Sequence, residues 1–417
     1  MAEVNASRIP RGVHEVCERL ASGGHRAWVV GGCIRDLLMD RAVSDWDLAT
    51  DARPDEVAAL FRRTIPTGIE HGTVTVLHDK EGYEVTTLRG EGAYTDGRRP
   101  DSVEFVSDIE EDLARRDFTV NAIAYDPLSG SLVDPWGGMA DLERKLIRAV
   151  RDPDERFGED GLRVLRAARF CASLEFELEA KTEAAIPHSL ETFRRVSPER
   201  VSDEWRKAFA KAARPSIAFV VMRRTGILAV SCAPLAALPD PAFEGTMTRT
   251  DRCTADPGLR LASLLLDIPA DATWADGWLR GMKLSNQVRR RVLELRKHRP
   301  WVEASTEAGA FRCWMRDVGR AHLADVLALW AADGADVHGL QRRIDAELAA
   351  GLPLQTKELP VNGKDVLAQL DGKPGRLVGQ VLERLLLDVY EEPAPLGREA
   401  LLERIPDVIA RVQAGPA

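Results

Sequence analysis

The chain has 417 residues, a length typical of two to four domains. Its 45% hydrophobic and 29% charged residues suit a globular protein, and no apolar run approaches roughly 20 residues, so we expect a soluble, cytoplasmic protein without a membrane span. The net charge of −9 does not favour a general nucleic-acid coat protein, and six scattered cysteines without a CxxC pair argue against a zinc site or a disulfide framework.

The first 150 residues mix strand and helix patterns. Short apolar or alternating runs predict strands, and runs with helical spacing predict helices. The predicted strands are "AWVVGG" (27–32), "DWDLAT" (45–50), "GTVTVLHD" (72–79), "GYEVTTLR" (82–89) and "DSVEFVS" (101–107). The predicted helices are "CIRDLLM" (33–39) and "PDEVAALFRR" (54–63). The strands follow one another closely enough for hairpins, which indicates a small mixed sheet.

After about residue 155 helical spacing dominates and strand patterns almost vanish. The clearest helical runs are "EDGLRVLRAARFCASLEF" (159–176), "PERVSDEWRKAFAKA" (198–212), "GLRLASLLLDI" (258–268) and "VGQVLERLLLDVYEE" (378–392). Proline-rich breaks at 233–245 and 351–363 are candidate boundaries. We therefore predict an α+β, multidomain chain in which a mixed-sheet head precedes a long helical part.

Gly31 and Gly32 follow a predicted strand and precede a predicted helix. Glycines let a phosphate approach the backbone, and a helix N-terminus offers free N–H groups, so this turn can bind an anion. Arg35, one turn into the helix, can reach the same phosphates. The pattern is neither GxxxxGK nor GxGxxG, which disfavours a P-loop or a dinucleotide-binding fold. Taken alone, two glycines after a strand are more often structural.

Asp45 and Asp47 are two residues apart on a predicted strand, so we expect both carboxylates on one face. Two such acids can bind two Mg²⁺ ions roughly 3.5–4 Å apart, an arrangement that supports phosphoryl or nucleotidyl transfer. Glu84, on a neighbouring predicted strand, is a candidate third metal ligand, with a surface salt bridge as the alternative. A lone DxD is usually a solvated turn, and the preceding strand–GG–helix–Arg pattern is what favours the metal site.

These motifs resemble the nucleotidyltransferase head of the DNA polymerase β superfamily, and more narrowly the bacterial class II tRNA nucleotidyltransferase and poly(A) polymerase family. The resemblance continues in order and is densest over residues 27 to 206. It rests on "RRDFTVNAIAYD" (115–126, ribose recognition), "LVDPWGGMADLERKLIRAV" (132–150, hinge), "RFGEDGLRVLRAARF" (156–170, base recognition), "SPERVSDEW" (197–205, helix start) and "LPVNGKDVLAQLDGKPGRLVGQVLERLL" (359–386, tail). It implies a polymerase-β-like nucleotidyltransferase head at 1–149, an all-helical neck at 150–215, a body at 216–350 and a tRNA-binding tail at 351–417.

Asp160 and Arg163 are three residues apart on a predicted helix and so share one face. A carboxylate can accept from the exocyclic amine of cytosine or adenine while a guanidinium donates to the neighbouring ring acceptor, and uracil and guanine reverse that pattern. The resemblance implies that this pair selects CTP or ATP, with Arg166 and Arg169 supporting the nucleotide. The alternative is that the arginines form ion pairs within the helix, with Glu159 and Asp160 as partners.

Arg116 and Asp117 can hydrogen-bond ribose hydroxyls and a phosphate, and Asn121 lies one turn beyond them. The alternative is that Asp117 caps a helix. The resemblance also identifies 91–105 as the loop that is implicated in switching from C to A addition. Where some members of the family carry the His-Asp pair of a phosphohydrolase domain, this chain has Leu266-Asp267, so we expect no phosphohydrolase activity.

The resemblance implies an enzyme that adds C, C and A from CTP and ATP to the 3′ end of tRNA, with two Mg²⁺ ions as cofactors. The basic run "RRRVLELRKHR" (289–299), with Arg289, Arg290 and Lys297, is a candidate contact to tRNA phosphates, against a solvated helix face as the alternative. The other readings left open are an enzyme that adds only the terminal A, a poly(A) polymerase, a nucleotidyltransferase acting on a small molecule and a catalytically silent RNA-binding scaffold.

Overall fold

The structure, a computed structural model, describes residues 4–90, 104–298, 307–370, 375–392 and 396–414. Its contacts divide the chain into two compact units. The first runs to Pro239 and includes Gly281–Lys283, and the second consists of Asp240–Arg280 and the chain from Leu284 onward. The boundary lies inside the proline-rich break at 233–245, whereas the finer division into head, neck, body and tail stays a prediction.

A seven-stranded mixed sheet lies in the first unit. Its strands are β1 Ala27–Val30, β2 Asp47–Thr50, β3 Thr64–Gly68, β4 Thr73–His78, β5 Glu81–Thr87, β6 Ala124–Tyr125 and β7 Leu132–Val133. They are ordered β3-β4-β5-β2-β1-β6-β7, with β2 and β5 parallel and the other neighbours antiparallel. Two further short strands, β8 Leu146–Ile147 and β9 Glu177–Leu178, form a separate parallel pair.

Helices pack on this sheet and then dominate the described chain. Those of the first unit are α1 Arg11–Ser22, α2 Gly32–Leu38, α3 Pro54–Leu60, α4 Ile109–Ala114, α5 Gly138–Arg144, α6 Pro153–Glu159, α7 Leu162–Leu174, α8 Ala180–Ala185, α9 Leu190–Arg194, α10 Pro198–Lys211, α11 Ser216–Arg224, α12 Ile227–Ser231 and α13 Ala233–Ala236. Short 3-10 turns lie at Ala6–Arg8, Ile69–His71, Thr119–Asn121, Pro187–Ser189 and Thr356–Glu358.

The helices after the boundary are α14 Asp240–Arg252, α15 Pro257–Leu266, α16 Ala272–Gly281, α17 Asn286–Lys297, α18 Ala308–Val318, α19 Leu323–Ala332, α20 His338–Ala349, α21 Gly363–Leu367, α22 Arg376–Glu391 and α23 Arg398–Ala414. Among the described helices, none is long and apolar enough to cross a membrane. The predicted class, a small mixed sheet followed by an all-helical part, is confirmed.

Strand β1 is buried on both faces of the sheet, and all four of its residues are buried. Val29 belongs to an apolar cluster with residues of α1 and α2, whereas Trp28 and Val30 belong to a second cluster with Ile109 and Leu113 of α4. Successive residues of a strand point to opposite faces, so a strand covered on both sides needs a continuous apolar run. This burial fixes the end of β1, from which the glycine turn leads into α2.

Most of the predicted strands and helices of the first unit are present, and the structure adds elements that were not predicted, among them α1 and the short strands β6 and β7. Strand β3 was not predicted: it lies at the edge of the sheet, contains Pro66 and is mostly exposed, so it lacks an apolar pattern. In the predicted strand at 101–107, residues 101–103 lie outside the described residues, and Phe105 forms an isolated bridge with Arg89.

Two local predictions at the candidate site are wrong. Strand β2 begins at Asp47, where pairing with β5 begins, so Asp45 precedes the strand. Asp45 is exposed, and Oγ of Ser44 donates to its carboxylate at 2.8 Å. Asp160 lies between α6 and α7 rather than on a helix, because its carboxylate accepts from the N–H of Leu162 at 3.0 Å and so forms a local turn before α7 begins.

Candidate active site

A cavity of about 940 Å³ lies in the first unit beside β1, β2, β5 and helices α2, α7 and α10. The predicted site residues that line it are Gly32, Arg35, Asp47, Glu84, Arg116, Asp117, Asn121, Asp160, Arg163, Arg166 and Arg169. Asp45 does not line it. Among the described residues, eleven arginines and lysines and five acids line this cavity, although the whole chain carries a net charge of −9. The cavity is therefore suited to an anionic ligand.

The glycine turn after β1 brings the backbone close to an arginine. Gly31 has a φ of 75°, and a Cβ at this position would lie 2.8 Å from Nη1 of Arg116. Glycine tolerates this left-handed conformation and leaves the space beside the guanidinium free. Arg35, one turn into α2, is buried and donates from Nη1 to Oδ1 of Asn121 at 2.6 Å.

Acidic side chains meet where β2 and β5 run parallel. Asp47 pairs in register with Glu84, and both line the cavity. Burial and repulsion from Glu84, with a smaller contribution from Asp45, raise the pKa of Asp47 to about 6 against the lowering effect of Arg116. A cation would relieve this repulsion, and carboxylate oxygens are the ligands that Mg²⁺ prefers. The carboxylates of Asp47 and Glu84 are therefore chemically suited to a divalent cation, whereas Asp45 lies outside the cavity lining.

A second group of possible ligands lies away from the cavity lining. Among the described residues, ligand atoms of Glu15, His78 and Asp79 lie within 4.8 Å of one another. Nε2 of His78 is 2.6 Å from Oε2 of Glu15, and hydrogen bonds from His78 and Arg11 lower the pKa of Glu15. The hydrogen bonds of Glu15 with His78 and Arg11 account for the position of this carboxylate without a metal.

Asp117 is the centre of a buried polar network. Its Oδ1 accepts from Nδ2 of Asn121 at 3.0 Å and from the backbone N–H of Phe118 at 2.9 Å, and its Oδ2 accepts from Nε of Arg166 at 2.7 Å. Burial alone would raise the pKa of Asp117, but the charge of Arg166 and the hydrogen bonds from Asn121 and Arg166 outweigh it and hold the pKa at about 2. The carboxylate is therefore ionised and acts only as an acceptor at neutral pH.

Asp160 and Arg163 both line the cavity, and each is held by other groups of the chain. Oδ2 of Asp160 accepts from Nη2 of Arg200 at 2.6 Å. Nη1 of Arg163 donates to Glu159 at 2.5 Å and to the carbonyl of Arg156 at 2.8 Å, while Nη2 donates to the carbonyl of Arg115 at 2.9 Å. The ion pair with Glu159 that was the alternative for Arg163 is thus present, alongside its position in the cavity.

Two residues of α10 that the sequence did not single out support this side of the cavity: Arg200 lines it, and Glu204 pairs with arginines that line it. Glu204 is 2% exposed, pairs with Arg169 and lies 3.7 Å from Arg166. Arg200 lies one turn earlier and meets Asp160. A spacing of four residues places Arg200 and Glu204 on one face of a helix, and this pattern was visible in "SPERVSDEW". Their partners depend on how α10 packs against α7, which the local sequence does not reveal.

The three residues predicted to contact tRNA lie on α17 in the second unit. Arg289 pairs with Asp276 at 2.6 Å, Lys297 pairs with Glu294 at 2.7 Å, and Arg290 is exposed. Two of the three cations therefore already have partners within the chain.

The fold and the site define a nucleotidyltransferase. The family model of the Poly A polymerase head domain matches residues 27–148, and that of the probable RNA- and SrmB-binding site of polymerase A matches residues 175–234. The model of tRNA nucleotidyltransferase domain 2 matches residues 260–405. Together these models cover the sheet, helices α2 and α10 beside the cavity and most of the second unit, whereas α7 lies between two of the matched ranges.

Similar proteins, two of them over nearly the whole chain, specify the family. A CCA-adding enzyme from Lactobacillus delbrueckii subsp. bulgaricus is 35% identical over 390 residues, 93% of this chain and 95% of the relative. One from Lactobacillus helveticus is 52% identical over 192 residues, 46% of this chain and 48% of the relative. The crystal structure of the Bacillus stearothermophilus CCA-adding enzyme in complex with CTP matches with a TM-score of 0.82 and 29% identity, over 97% of this chain and 99% of that chain. The chain belongs to the family of CCA-adding enzymes.

Proposed function

We propose that this chain adds C, C and A in turn to the 3′ end of tRNA, using CTP and ATP and releasing pyrophosphate. One geometric observation supports the proposal beyond family membership: the Asp47–Glu84 carboxylates and the Asp160–Arg163 pair line the same cavity. The first pair suits the reacting phosphate and the second suits a base. The cavity volume of about 940 Å³ is in the range that accommodates a ligand of nucleotide size.

Asp160 and Arg163 select the base in this proposal. The carboxylate accepts from the exocyclic amine that cytosine and adenine share, and the guanidinium donates to the neighbouring ring acceptor. Uracil and guanine would set an acceptor against the carboxylate and a donor against the guanidinium. A site built to pair with a polar group rejects a ligand that leaves it unpaired, because the buried groups then lose hydrogen bonds.

The other lining residues hold the sugar and the phosphates. Asp117 and Asn121 face the ribose hydroxyls, with Asp117 as an ionised acceptor. The backbone of Gly32 and four guanidinium groups bind the triphosphate, and these groups belong to Arg35, Arg116, Arg166 and Arg169. Their contribution is positioning and charge stabilisation, which account for most of the catalysis in phosphoryl transfer.

Two Mg²⁺ ions are the proposed cofactors, with Asp45 and Asp47 as ligands and Glu84 as a further one. Bound there, they would lower the pKa of the tRNA 3′-hydroxyl and stabilise the charge on the departing pyrophosphate. The chain itself supplies the carboxylates and, through the pairing of β2 with β5, their common location. No side chain is assigned as a dedicated general base.

The helical part of the chain binds the acceptor end of tRNA in this proposal, through the backbone and the shape of the RNA rather than its sequence. The exposed cations of α17, Arg290 and Lys297, are candidate phosphate contacts, and Arg289 is a third. A cytoplasmic location is part of the same proposal, because tRNA and both nucleotides are available there.

An extension assay tests the proposal directly. Transcripts that end before CCA, after C and after CC are incubated with Mg²⁺ and each of CTP, ATP, UTP and GTP. We expect two C and then one A to be added, and Asp47→Asn to lower the rate by about a thousandfold. Asp55→Asn, an exposed acid on α3, is the matched control and should retain the wild-type rate.

The other outcomes separate the alternatives. Addition of A to the CC transcript alone would identify an A-only-adding enzyme, and long A tails on unrelated RNA would identify a poly(A) polymerase. Retained tRNA binding without incorporation of any nucleotide would support a catalytically silent scaffold and refute the proposal.

A further inference from the structure

We infer that Arg200 is a positioning residue for base selection: it fixes the Asp160 carboxylate and thereby controls discrimination of cytosine and adenine against uracil. The inference rests on the proposed function, in which Asp160 reads the base. Arg200 lies in the first turn of α10, Pro198–Lys211, and Asp160 lies 40 residues earlier, just before α7. The pair therefore depends on how the chain folds and not on a local motif.

The Asp160 carboxylate is held from two sides. Oδ1 accepts from the backbone N–H of Leu162 at 3.0 Å, and Oδ2 accepts from Nη2 of Arg200 at 2.6 Å. Both side chains line the cavity, with 19% of Asp160 and 32% of Arg200 exposed. An ionised carboxylate has about four acceptor positions, so these two bonds leave others free toward a ligand.

Among the described residues, Arg200 is the side chain that donates to Asp160. The torsion that turns an aspartate carboxylate is soft, and a single bond to the Leu162 N–H would not fix it. Arg163, in contrast, is held by Glu159 and two backbone carbonyls and does not depend on Arg200. Loss of Arg200 would therefore release one member of the reading pair and leave the other in place.

A fixed carboxylate discriminates in a way that a rotating one does not. Its oxygen accepts from the amine of cytosine or adenine, but it meets the O4 carbonyl of uracil with repulsion. The repulsion excludes uracil only if the carboxylate is held in place, because a carboxylate that can rotate would avoid it. Specificity against a wrong ligand depends on a clash that the site cannot relax. Loss of Arg200 should thus relax the rejection of UTP more than it impairs the use of CTP.

The alternative role of the ion pair is to join α10 to the segment before α7. That role predicts equal losses for every nucleotide, because a loosened helix would affect the whole cavity. Arg206 on the same helix offers a matched control: it forms an ion pair with Asp203 at 2.6 Å, its side chain is 59% exposed, and it does not line the cavity.

The test measures kcat/KM for CTP and for UTP on a transcript that lacks CCA, with the full chain and Mg²⁺. Arg200→Gln and Arg200→Met both remove the guanidinium, and the second keeps an apolar stem for packing. We expect the ratio of CTP to UTP to fall about tenfold in both. It should recover to within about threefold of wild type in Arg200→Lys and stay unchanged in Arg206→Gln.

A double-mutant cycle shows whether Arg200 acts through Asp160. In an Asp160→Asn background, Arg200→Gln should no longer change the ratio of CTP to UTP. An unchanged ratio in the folded single variants, equal losses for CTP and UTP, or a further fall in the Asp160→Asn background would each overturn the inference. If the wild-type chain adds no C, the proposed function itself fails; if it adds C and the ratio does not respond to Arg200, the inference alone fails.

Discussion

Two helices of this chain, α7 and α17, are both rich in arginine but have different surroundings in the structure. On α7, Arg163, Arg166 and Arg169 line the cavity and pair with acids of neighbouring elements. On α17, Arg291 forms a two-bond pair with Asp325, at 2.7 Å for each bond, and a further bond with Asp256 at 2.9 Å.

Arginines of both helices therefore pair with acids of the chain, and pairing alone does not separate a binding site from a structural contact. The difference is the cavity. The α7 arginines leave donors beside a space that can hold a phosphate and a base, whereas Arg291 connects α15, α17 and α19 of the second unit. A run of basic residues is informative about function only once the space around it is known.

Among the substitutions that compare the two helices, Arg163→Lys should have the largest effect. Lysine keeps the charge beside Glu159 but loses the planar, multi-donor group that reads a base edge. We expect kcat/KM for CTP per folded molecule to fall about a hundredfold. We also expect the free energy of unfolding to fall by about 1–3 kcal/mol, because the carbonyls of Arg156 and Arg115, which are buried or partly buried, lose a donor. Extension kinetics and thermal unfolding on the same preparation check this. Wild-type kinetics in this variant would remove Arg163 from the reading pair.

Asp117→Asn tests whether a buried acid of the cavity stabilises the fold through its bond to a cavity arginine, Arg166. The folded pKa of Asp117, about 2, lies below the ordinary value, so its contribution is fully present above about pH 4 and is lost as the pH falls toward 2. We expect the variant to be about 2 kcal/mol less stable at pH 7, with the difference shrinking below about pH 4. Urea unfolding across this range measures it, and a difference that stays constant with pH would contradict the expectation.

The same substitution on the other helix, Arg291→Lys, should lower the stability of the fold without changing the kinetics of CTP addition. A lysine cannot keep both bonds to Asp325, so we expect a loss of about 1.5 kcal/mol in the free energy of unfolding. Because the pair belongs to the second unit and is outside the cavity lining, kcat/KM for CTP per folded molecule should not change. A selective loss of CTP addition would show that the comparison between the two helices is too simple.

The smallest expected effect concerns the exposed cations of α17. Arg290→Gln combined with Lys297→Gln should change the free energy of unfolding by less than about 0.5 kcal/mol. If these residues contact tRNA phosphates, KM for tRNA should rise about threefold and its dependence on salt should weaken. Arg280→Gln, on α16 with a 67% exposed side chain, is the matched control. Identical KM values for the double variant and the wild type would leave α17 as a solvated face.

The sequence was sufficient for the parts of the site that local patterns determine. The apolar run of β1 followed by glycines predicts a strand and a turn. A strand that is covered on both faces consists of consecutive apolar residues, and β1 shows this pattern. The sequence also identified the three arginines of α7 that line the cavity. It misplaced Asp45 and Asp160, since period 2 and helical spacing apply only inside an element, and both residues lie just outside one.

Long-range pairing explains what the sequence could not provide. Strands β2 and β5 are neighbours although β3 and β4 lie between them in the chain, and only this pairing sets Asp47 beside Glu84. Arg200 and Glu204 reach Asp160 and Arg169 because α10 packs on α7, and these two partners are 40 and 35 residues away in sequence. No local spacing encodes such partners.

The register of β2 and β5 has a consequence for protein engineering. Like charges side by side on neighbouring strands oppose folding, and a β-branched residue in place of Glu84 would extend the run Val85, Thr86, Thr87. A substitution of Glu84 that raises thermal stability would therefore remove a carboxylate that the proposed chemistry needs. Directed evolution that selects only for thermal stability would enrich stable variants without activity. Enzymatic turnover therefore has to be measured in every round of selection.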